Sequence, residues 1–571
     1  MFESAQPITV TAKLLNVFSV LFEDSSALES IDVTTIIPRI LHIATNYAED
    51  VGPIYDGTGK TNRTRTAQGS SRRIRSKTTT KRDPNLEKSY LPEIQCNCCK
   101  ILQKISQYEK YTQILILNGV EKRLLDLLSK TSDISVQIAA ARAISVCARN
   151  NSVQLRLTSL GGVGEFARLL KIDNSESRST ALAALAQLTR ENAIACRELK
   201  RAPNTLPQLV ACLKGPEVDV LNALSIVSEL SNDDKAREDL HHFDIVPSIV
   251  EALSSDSKRI LESLALTLPR VIVTDHEVES FEQTGGMVGL LKCLKSPCLK
   301  VRNAGAFASA LLSENALAAR LLYDSGALEY LCLMKSAEDH HSPQVDVAIR
   351  NMLDSNVLLK FAMTGVLDFS DITGDLFYDV GRLKASERLK GLECYANETR
   401  LQTMPVWLLN IREPGTDEPP AFTLPVDVRL RSFLKSVIEK VNAFEDLKEK
   451  VLNLAKEVAD FFGGPITRQE AFGCVDWQAV AKYRCLHSTN IVPIGLPIRA
   501  GYRHRALLFK FIADKLRIFS TCVCGEYSIA YNVICTKKST ETPQSYVVNL
   551  MDSPGALYVT DSKEASQYCR I

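Results

Sequence analysis

Small or turn-forming residues that interrupt helical patterns recur at Gly119, Gly161, Pro203, Asp244, Gly285, Gly326 and Gly365, at gaps of 42, 42, 41, 41, 41 and 39 residues. A period this regular constrains the fold more than any composition does. Each interval opens on an apolar stretch, such as "GVEKRLLDLL" from 119 or "GMVGLLKCL" from 286, passes a polar turn, and in most cases continues into an Ala- and Leu-rich helix. The segments "AAARAISVCARNN", "TALAALAQLTREN" and "NALSIVSELSNDD" superpose, so that Ile144/Cys147, Leu185/Leu188 and Val227/Leu230 share one i, i+3 face. No helix buries such a face alone, so the intervals must stack into an α-solenoid. The spacing predicts about six units over 120–365, with "CNCCKILQKISQYEKYTQILILNG" (96–119) closing one more. Pro269, inside "LALTLPRVIV", removes a backbone donor and is expected to kink or split its helix. Residues 1–50 are helical in pattern and read as a degenerate first unit or cap.

Past Gly365 the pattern changes. A Pro-rich stretch with Pro405, Pro414, Pro419, Pro420 and Pro425 predicts a linker over 385–425 after a solenoid at 93–384. An amphipathic segment from Val428 to Phe462, then alternating apolar runs such as "STCVCGEYSIAYNVI" and "SYVVNLM", predict a smaller α+β domain over 426–571. Several domains, or an array plus a domain, suit a chain of 571 residues. With 68 Lys and Arg against 67 Asp and Glu, the net charge of +1 gives no reason to expect nucleic acid or membrane as a partner. The N-terminus carries an acid where a secretory leader would be basic, and no apolar run approaches the roughly 18 residues of a span. An intracellular, cytoplasmic protein is therefore expected. Its cysteines stand singly in apolar patterns, as at Cys147, Cys212, Cys293 and Cys332, which suits reduced buried thiols. The sequons at Asn62 and Asn397 carry little meaning on that route.

Two local motifs invite a ligand and fall short of one. "DGTGKTNRTRT" contains "GKT", but the Gly that a phosphate-binding loop needs is Ile54, and no helix pattern follows. That region, 57–88, holds ten Lys or Arg and two acids among Gly, Ser and Thr, which predicts a disordered basic insert over 51–92. It reads as a solvated loop, or as an arm for an acidic polymer, though aromatic residues for base stacking are missing. "CNCC" (96–99) offers thiolates but no second Cys/His pair at zinc spacing, so no metal and no cofactor are expected.

The period is that of armadillo and HEAT repeats. The boundary Gly resembles the armadillo break before a short first helix, and the Ala-rich segment resembles its long third helix. Best-known peptide-binding members line their groove with Trp and Asn on that third helix. Here the equivalent positions are Val146, Gln187 and Glu229, and the solenoid has no Trp, so a different partner set from that of import receptors is implied.

"LKFAMTGVLDFSDITGDLFYDVGRL", "AKEVADFFGG", "STNIVPIGLPIRAGYRHRALLFKFIADKL", "CGEYSIAYNVI" and "VVNLMDSPGALYVTDSKEASQYCRI" together resemble the armadillo repeat-containing protein 3 family. The C-terminal module is also similar to the regulatory domain ahead of the kinase in plant Raf-like kinases, whose fold is transglutaminase- and papain-like. Such enzymes need a thiolate at a helix N-terminus, a His on a strand and an Asp or Asn to orient it. Laid on that pattern, Tyr502 falls at the nucleophile position, Ile529 at the base and Asn549 at the orienting position. The resemblance thus implies a catalytically dead domain. A rearranged pair of Cys485 and His487 is the enzymatic alternative, with His504 on the key helix. Arg503, His504 and Arg505 could form an anion-binding cluster at that helix's start, or pair with acids such as Asp514 or Glu526. The expected protein is a non-enzymatic scaffold, binding protein partners through the solenoid groove and the C-terminal domain. The resemblance implies a place in cilia, sperm flagella or male germ cells.

Overall fold

The period in the sequence is a period in the backbone. The computed structural model describes residues 8–22, 32–46, 84–337, 342–398, 406–409, 424–473, 477–525, 529–536 and 544–569. Gly119, Gly161, Asn204, Asp244, Gly285, Gly326 and Gly365 all adopt left-handed φ, between 57° and 94°. Six of the seven predicted breaks are these residues. The exception is Pro203, whose ring fixes φ near −65°, so the break falls one residue later at Asn204. A left-handed residue ends one helix and re-aims the chain into the next, and Gly, Asn and Asp tolerate it best.

Helices α1 (Ile8–Leu21), α2 (Val33–Asn46) and α3 (Pro84–Ile105) precede a 3₁₀ turn (Glu109–Tyr111) and the six-residue α4 (Thr112–Leu117). Both α1 and α2 pack on α3, so these two helices belong to the same unit as α3. Helix α3 starts inside the stretch assigned to the basic insert, so that assignment is too long at its C-terminal end. The rest of the insert and the "GKT" motif lie outside the described residues.

Six units then follow: α5 (Val120–Lys130), α6 (Ile134–Cys147) and α7 (Asn151–Ser159); α8 (Gly162–Leu169), α9 (Ser175–Thr189) and α10 (Ala193–Arg201); α11 (Thr205–Cys212), α12 (Glu217–Leu230) and α13 (Asp234–His242). The next are α14 (Ile245–Leu253), α15 (Lys258–Val271) and α16 (Asp275–Gln283); α17 (Gly286–Leu294), α18 (Leu299–Leu312) and α19 (Ala316–Ser325); α20 (Ala327–Ser336), α21 (Pro343–Asp354) and α22 (Val357–Thr364). The long Ala-rich helix is therefore the second after each break, not the third, and a helix of eight to ten residues closes the unit. The predicted shared face holds: Ile144, Cys147, Leu185, Leu188, Val227 and Leu230 are all buried. Pro269 does not split α15, because it sits in the last turn and the helix runs on to Val271.

The closing helices carry a capping ladder of their own. Asn150, Asn192, Asp233, Thr274, Asn315 and Asn356 stand at gaps of 42, 41, 41, 41 and 41 residues, and each side chain accepts a hydrogen bond from a first-turn amide. Replacing such a cap by Ala costs about 1 kcal/mol. For Asn315→Ala we expect faster hydrogen exchange at the Ala318 amide, which Asn315 now holds at 3.0 Å; unchanged protection there would show the cap to be idle.

The chain divides into two units, Met1–Ala308 and Ser309–Ile571. Within the second, the α+β domain begins much earlier than residue 426. Strands β1 (Val366–Leu367) and β2 (Tyr378–Asp379), helix α23 (Leu392–Ala396) and β3 (Val406–Leu408) precede α24 (Val428–Asn442) and α25 (Leu447–Phe461). Helices α26 (Arg468–Gly473) and α27 (Trp477–His487), strand β4 (Ile491–Pro493) and helix α28 (Tyr502–Lys515) lead to β5 (Cys522–Cys524), β6 (Ala530–Thr536), β7 (Gln544–Val548), β8 (Leu557–Val559) and α29 (Lys563–Cys569). One sheet has the order β1-β5-β6-β7-β8 and the other β2-β3-β4. The described part of the predicted linker is structural: β3 pairs in parallel with β4, and Tyr395, Val406 and Trp407 are buried. No helix among the described residues is long and apolar enough to cross a membrane.

Candidate functional site

Helix α28 packs on β5 and β6, and its residues from Tyr502 to Asp514 are all buried. Its N-cap, Gly501, supplies no side-chain cap, so the first turn depends on its surroundings. Tyr502, at the nucleophile position, lies with its ring 5.7 Å from Tyr568 of α29, and burial raises its phenol above the ordinary value. Tyr568 in turn stands 6.2 Å from the Tyr558 ring, and its hydroxyl accepts the Leu550 N–H at 2.9 Å. Asn549, at the orienting position, donates to Tyr558 Oη at 3.0 Å and to Asp552 Oδ1 at 2.7 Å, while its Oδ1 accepts from Met551 N–H. The residues that the resemblance aligns with the nucleophile and orienting positions are thus linked through tyrosine rings packed edge-on and tilted. Asn549 holds the turn before β8 and orients no base. Ile529 lies buried just before β6, where its carbonyl accepts the Gly525 N–H at 2.8 Å.

The anion-binding reading of Arg503, His504 and Arg505 is overturned by where the three side chains go. Arg503 forms an ion pair with the buried Asp379 of β2 at 2.5 Å, so its partner is neither Asp514 nor Glu526. Asp514 accepts from Lys510 at 2.8 Å and from the Thr373 hydroxyl at 2.7 Å, and Glu526 lies outside the described residues. Arg505 is fully buried and donates to the carbonyls of Ala500, Phe462, Gly464 and Leu550, at 2.8 to 3.3 Å. It ties three loops to the start of α28. His504 lies edge-on to Trp407 with ring centroids 3.7 Å apart; burial first, and then the Arg503 charge, press its pKa down to about 3. A cluster turned inward in this way presents nothing to a solvent anion.

The alternative pair does not form either. Cys485 and His487 are both exposed on α27, two residues apart, and positions i and i+2 point away from each other on a helix. His487 stacks instead on Tyr483, at 4.3 Å between centroids. Two thiols that the sequence did not single out, Cys522 and Cys524, do face the core beneath α28. The hydrogen bond between them, and then burial, push the Cys522 thiol well above its usual range. The "CNCC" thiols lie on α3, where burial raises the pKa of Cys96, Cys98 and Cys99.

On the solenoid, Val146, Gln187 and Glu229 occupy equivalent half-buried positions near the C-terminal ends of α6, α9 and α12. Arginines around this stripe staple successive long helices: Arg142 to Glu176 at 2.6 Å, Arg190 to the Arg149 carbonyl at 3.3 Å, and Arg270 to Ser228 Oγ at 3.1 Å.

A family model described as EDR1/CTR1/ARMC3, peptidase-like, matches residues 355–558. Human Armadillo repeat-containing protein 3 is 23% identical, with the match covering 84% of this chain and 67% of the human one. Probable serine/threonine-protein kinase SIS8 of Arabidopsis thaliana is 29% identical over 20% of this chain and 11% of its own length. Among solved structures, an engineered protein aligns with a TM-score of 0.49 at 18% identity, covering 62% of this chain and 76% of that one. A designed armadillo repeat protein aligns with a TM-score of 0.37 at 18% identity, covering 41% of this chain and 98% of its own. With strands and helices from residue 366 onward forming the domain that the family model begins at 355, the chain has a C-terminal domain that matches the EDR1/CTR1/ARMC3 peptidase-like model, behind a helical solenoid that resembles armadillo repeats, and is similar over most of its length to human Armadillo repeat-containing protein 3.

Proposed function

We propose that the protein is a non-enzymatic scaffold that binds protein partners along its helical repeats, with the peptidase-like domain as a second contact. The observation that carries this reading is what stands at the positions that the family resemblance aligns with a thiolate, a base and its orienting group: a buried tyrosine, a buried isoleucine and a turn-holding asparagine. Stacked repeats supply the other half, because they give an extended surface on which each unit contributes one set of side chains. The family resemblance extends the proposal to the cytoplasm of ciliated or flagellated cells and to male germ-cell development.

Two measurements test it. Exposed Cys485 is expected to react with iodoacetamide at the same rate, within about threefold, in wild type and in His487→Ala, because the two side chains diverge on α27; a much faster wild-type rate, lost on His487→Ala, would restore the enzymatic reading. In affinity capture from ciliated-cell or testis extract, Gln187→Arg/Glu229→Arg in the full chain should lower recovery of a discrete partner set about tenfold, since a charge reversal within a recognition surface costs more than 1 kcal/mol. A partner set indifferent to both changes would move recognition off the repeats.

A further inference from the structure

We propose that the first unit of the solenoid holds a binding pocket for an alkylammonium group, presented either by a lysine side chain or by a free diamine. The site goes beyond the scaffold reading and stands whether or not that reading does. Its origin is a closing helix whose first turn is 3₁₀. In the units from α5 to α19, three residues separate the long helix from the closing helix. Between α3 and α4 there are six, Ser106 to Tyr111, and the closing helix is cut to six residues. The third residue of every other closing helix is buried, as with Val153, Ala195 and Ala236. One repeat before Val153, 42 residues earlier, stands Tyr111 of the 3₁₀ turn, which is only half-buried, and the space beside this turn stays open.

The result is a cavity of about 300 Å³ between this turn and the C-terminal end of α6. Leu115, Ile116 and Val146 give it an apolar wall, Glu121 lies in the wall, and Glu109 and Arg149 stand at its exposed rim. The charged lining residues are thus two carboxylates against one guanidinium. Glu121 is 2% exposed, and its Oε1 lies 2.6 Å from Arg156, whose side chain is half in solvent and outside the lining. Cys147 in the same wall registers the carboxylate: burial first, with Glu121 adding to it, pushes the thiol up to about 11. A buried carboxylate beside an apolar wall selects a ligand with a hydrocarbon stem and a cationic head, because the stem covers the wall while the head shares the carboxylate.

The test is methyl NMR of the full chain, following Leu115, Ile116 and Val146 during titration with N-acetyl-lysine methylamide, with 1,5-diaminopentane, and with N-acetyl-norleucine methylamide, which keeps the stem and lacks the charge. Shifts at these methyls with the amines binding at least about fivefold tighter than norleucine support the site, as a charge-assisted hydrogen bond requires. Tighter binding of the lysine amide identifies a partner's side chain, and tighter binding of the diamine a free polyamine. Glu121→Gln should erase the preference, and Val146→Trp, a change at a half-buried wall position, should abolish binding of all three should the first variant fail to fold. Equal binding of amines and norleucine, or no shift at these methyls, overturns the proposal.

Discussion

Replacing Lys360 by methionine will destabilise the C-terminal unit by about 3 kcal/mol at neutral pH, the usual cost of leaving one buried charge without its counter-ion. Lys360 Nζ lies 2.7 Å from Asp354, 2.8 Å from Asp368 and 2.8 Å from Asp371, joining α21, α22 and the loop after β1. Burial alone would lower the pKa of this ammonium, but the three carboxylate bonds outweigh it and hold it above the ordinary lysine range. The cost concentrates on Asp371, whose side chain is 5% exposed, whereas Asp354 and Asp368 are about half-exposed and can turn to water. Both tryptophans of the chain, Trp407 and Trp477, lie in the C-terminal domain, so their fluorescence in urea reports this unit alone. The gap between wild type and Lys360→Met should narrow as the pH falls below about 4, where an unpaired Asp becomes protonated. A loss below 1 kcal/mol would mean that these loops are held by something other than Lys360.

His504→Phe will remove an acid sensitivity from the same transition. The folded state holds this imidazole at about 3 against about 6.5 when free, so below pH 6.5 the unfolded chain takes up a proton that the native ring refuses. The contribution is therefore complete above pH 6.5 and is lost as pH falls towards 3, at about 1.4 kcal/mol per unit, or nearly 3 kcal/mol by pH 4.5. Phenylalanine keeps the edge-on contact with Trp407 and removes Nε2, which is buried and has no hydrogen-bond partner among the described residues, so no loss is expected at pH 7.5. The difference between the two proteins should open steadily from pH 6.5 downward. Parallel curves would show that His504 is protonated in the folded domain.

The repeat was legible because its causes are local. A left-handed backbone favours Gly, Asn or Asp, and an i, i+3 apolar face must be buried, so both leave marks at fixed spacing. The closing helices were missed although Asn150, Asn192 and Asp233 announce them, because those caps were read as the tails of the Ala-rich helices. In the C-terminal domain the family's motifs could be located in the sequence, whereas the partners of α28 could not. Arg503 meets Asp379 across 124 residues, and Thr373 meets Asp514 across 141, distances over which no local pattern carries a signal. The Pro-rich run was read as a linker for the same reason: the parallel pairing of Val406 with Ile491 is invisible to neighbours in sequence.

Gly365 ends α22 with the same left-handed turn that elsewhere starts a new repeat, yet the next residues become β1, and the Gly365 carbonyl accepts the Cys524 N–H at 2.8 Å. The chain thus passes from the last repeat into the sheet through one left-handed residue, with the Lys360 carboxylate cluster beside it. Gains or losses of whole repeats upstream of that residue would leave the sheet edge unaltered, which lets array length and domain identity vary independently through gene duplication. The reverse does not hold: a fragment starting at residue 426 would lack β1, β2 and β3, exposing the edge of β5 and stripping β4 of its partner.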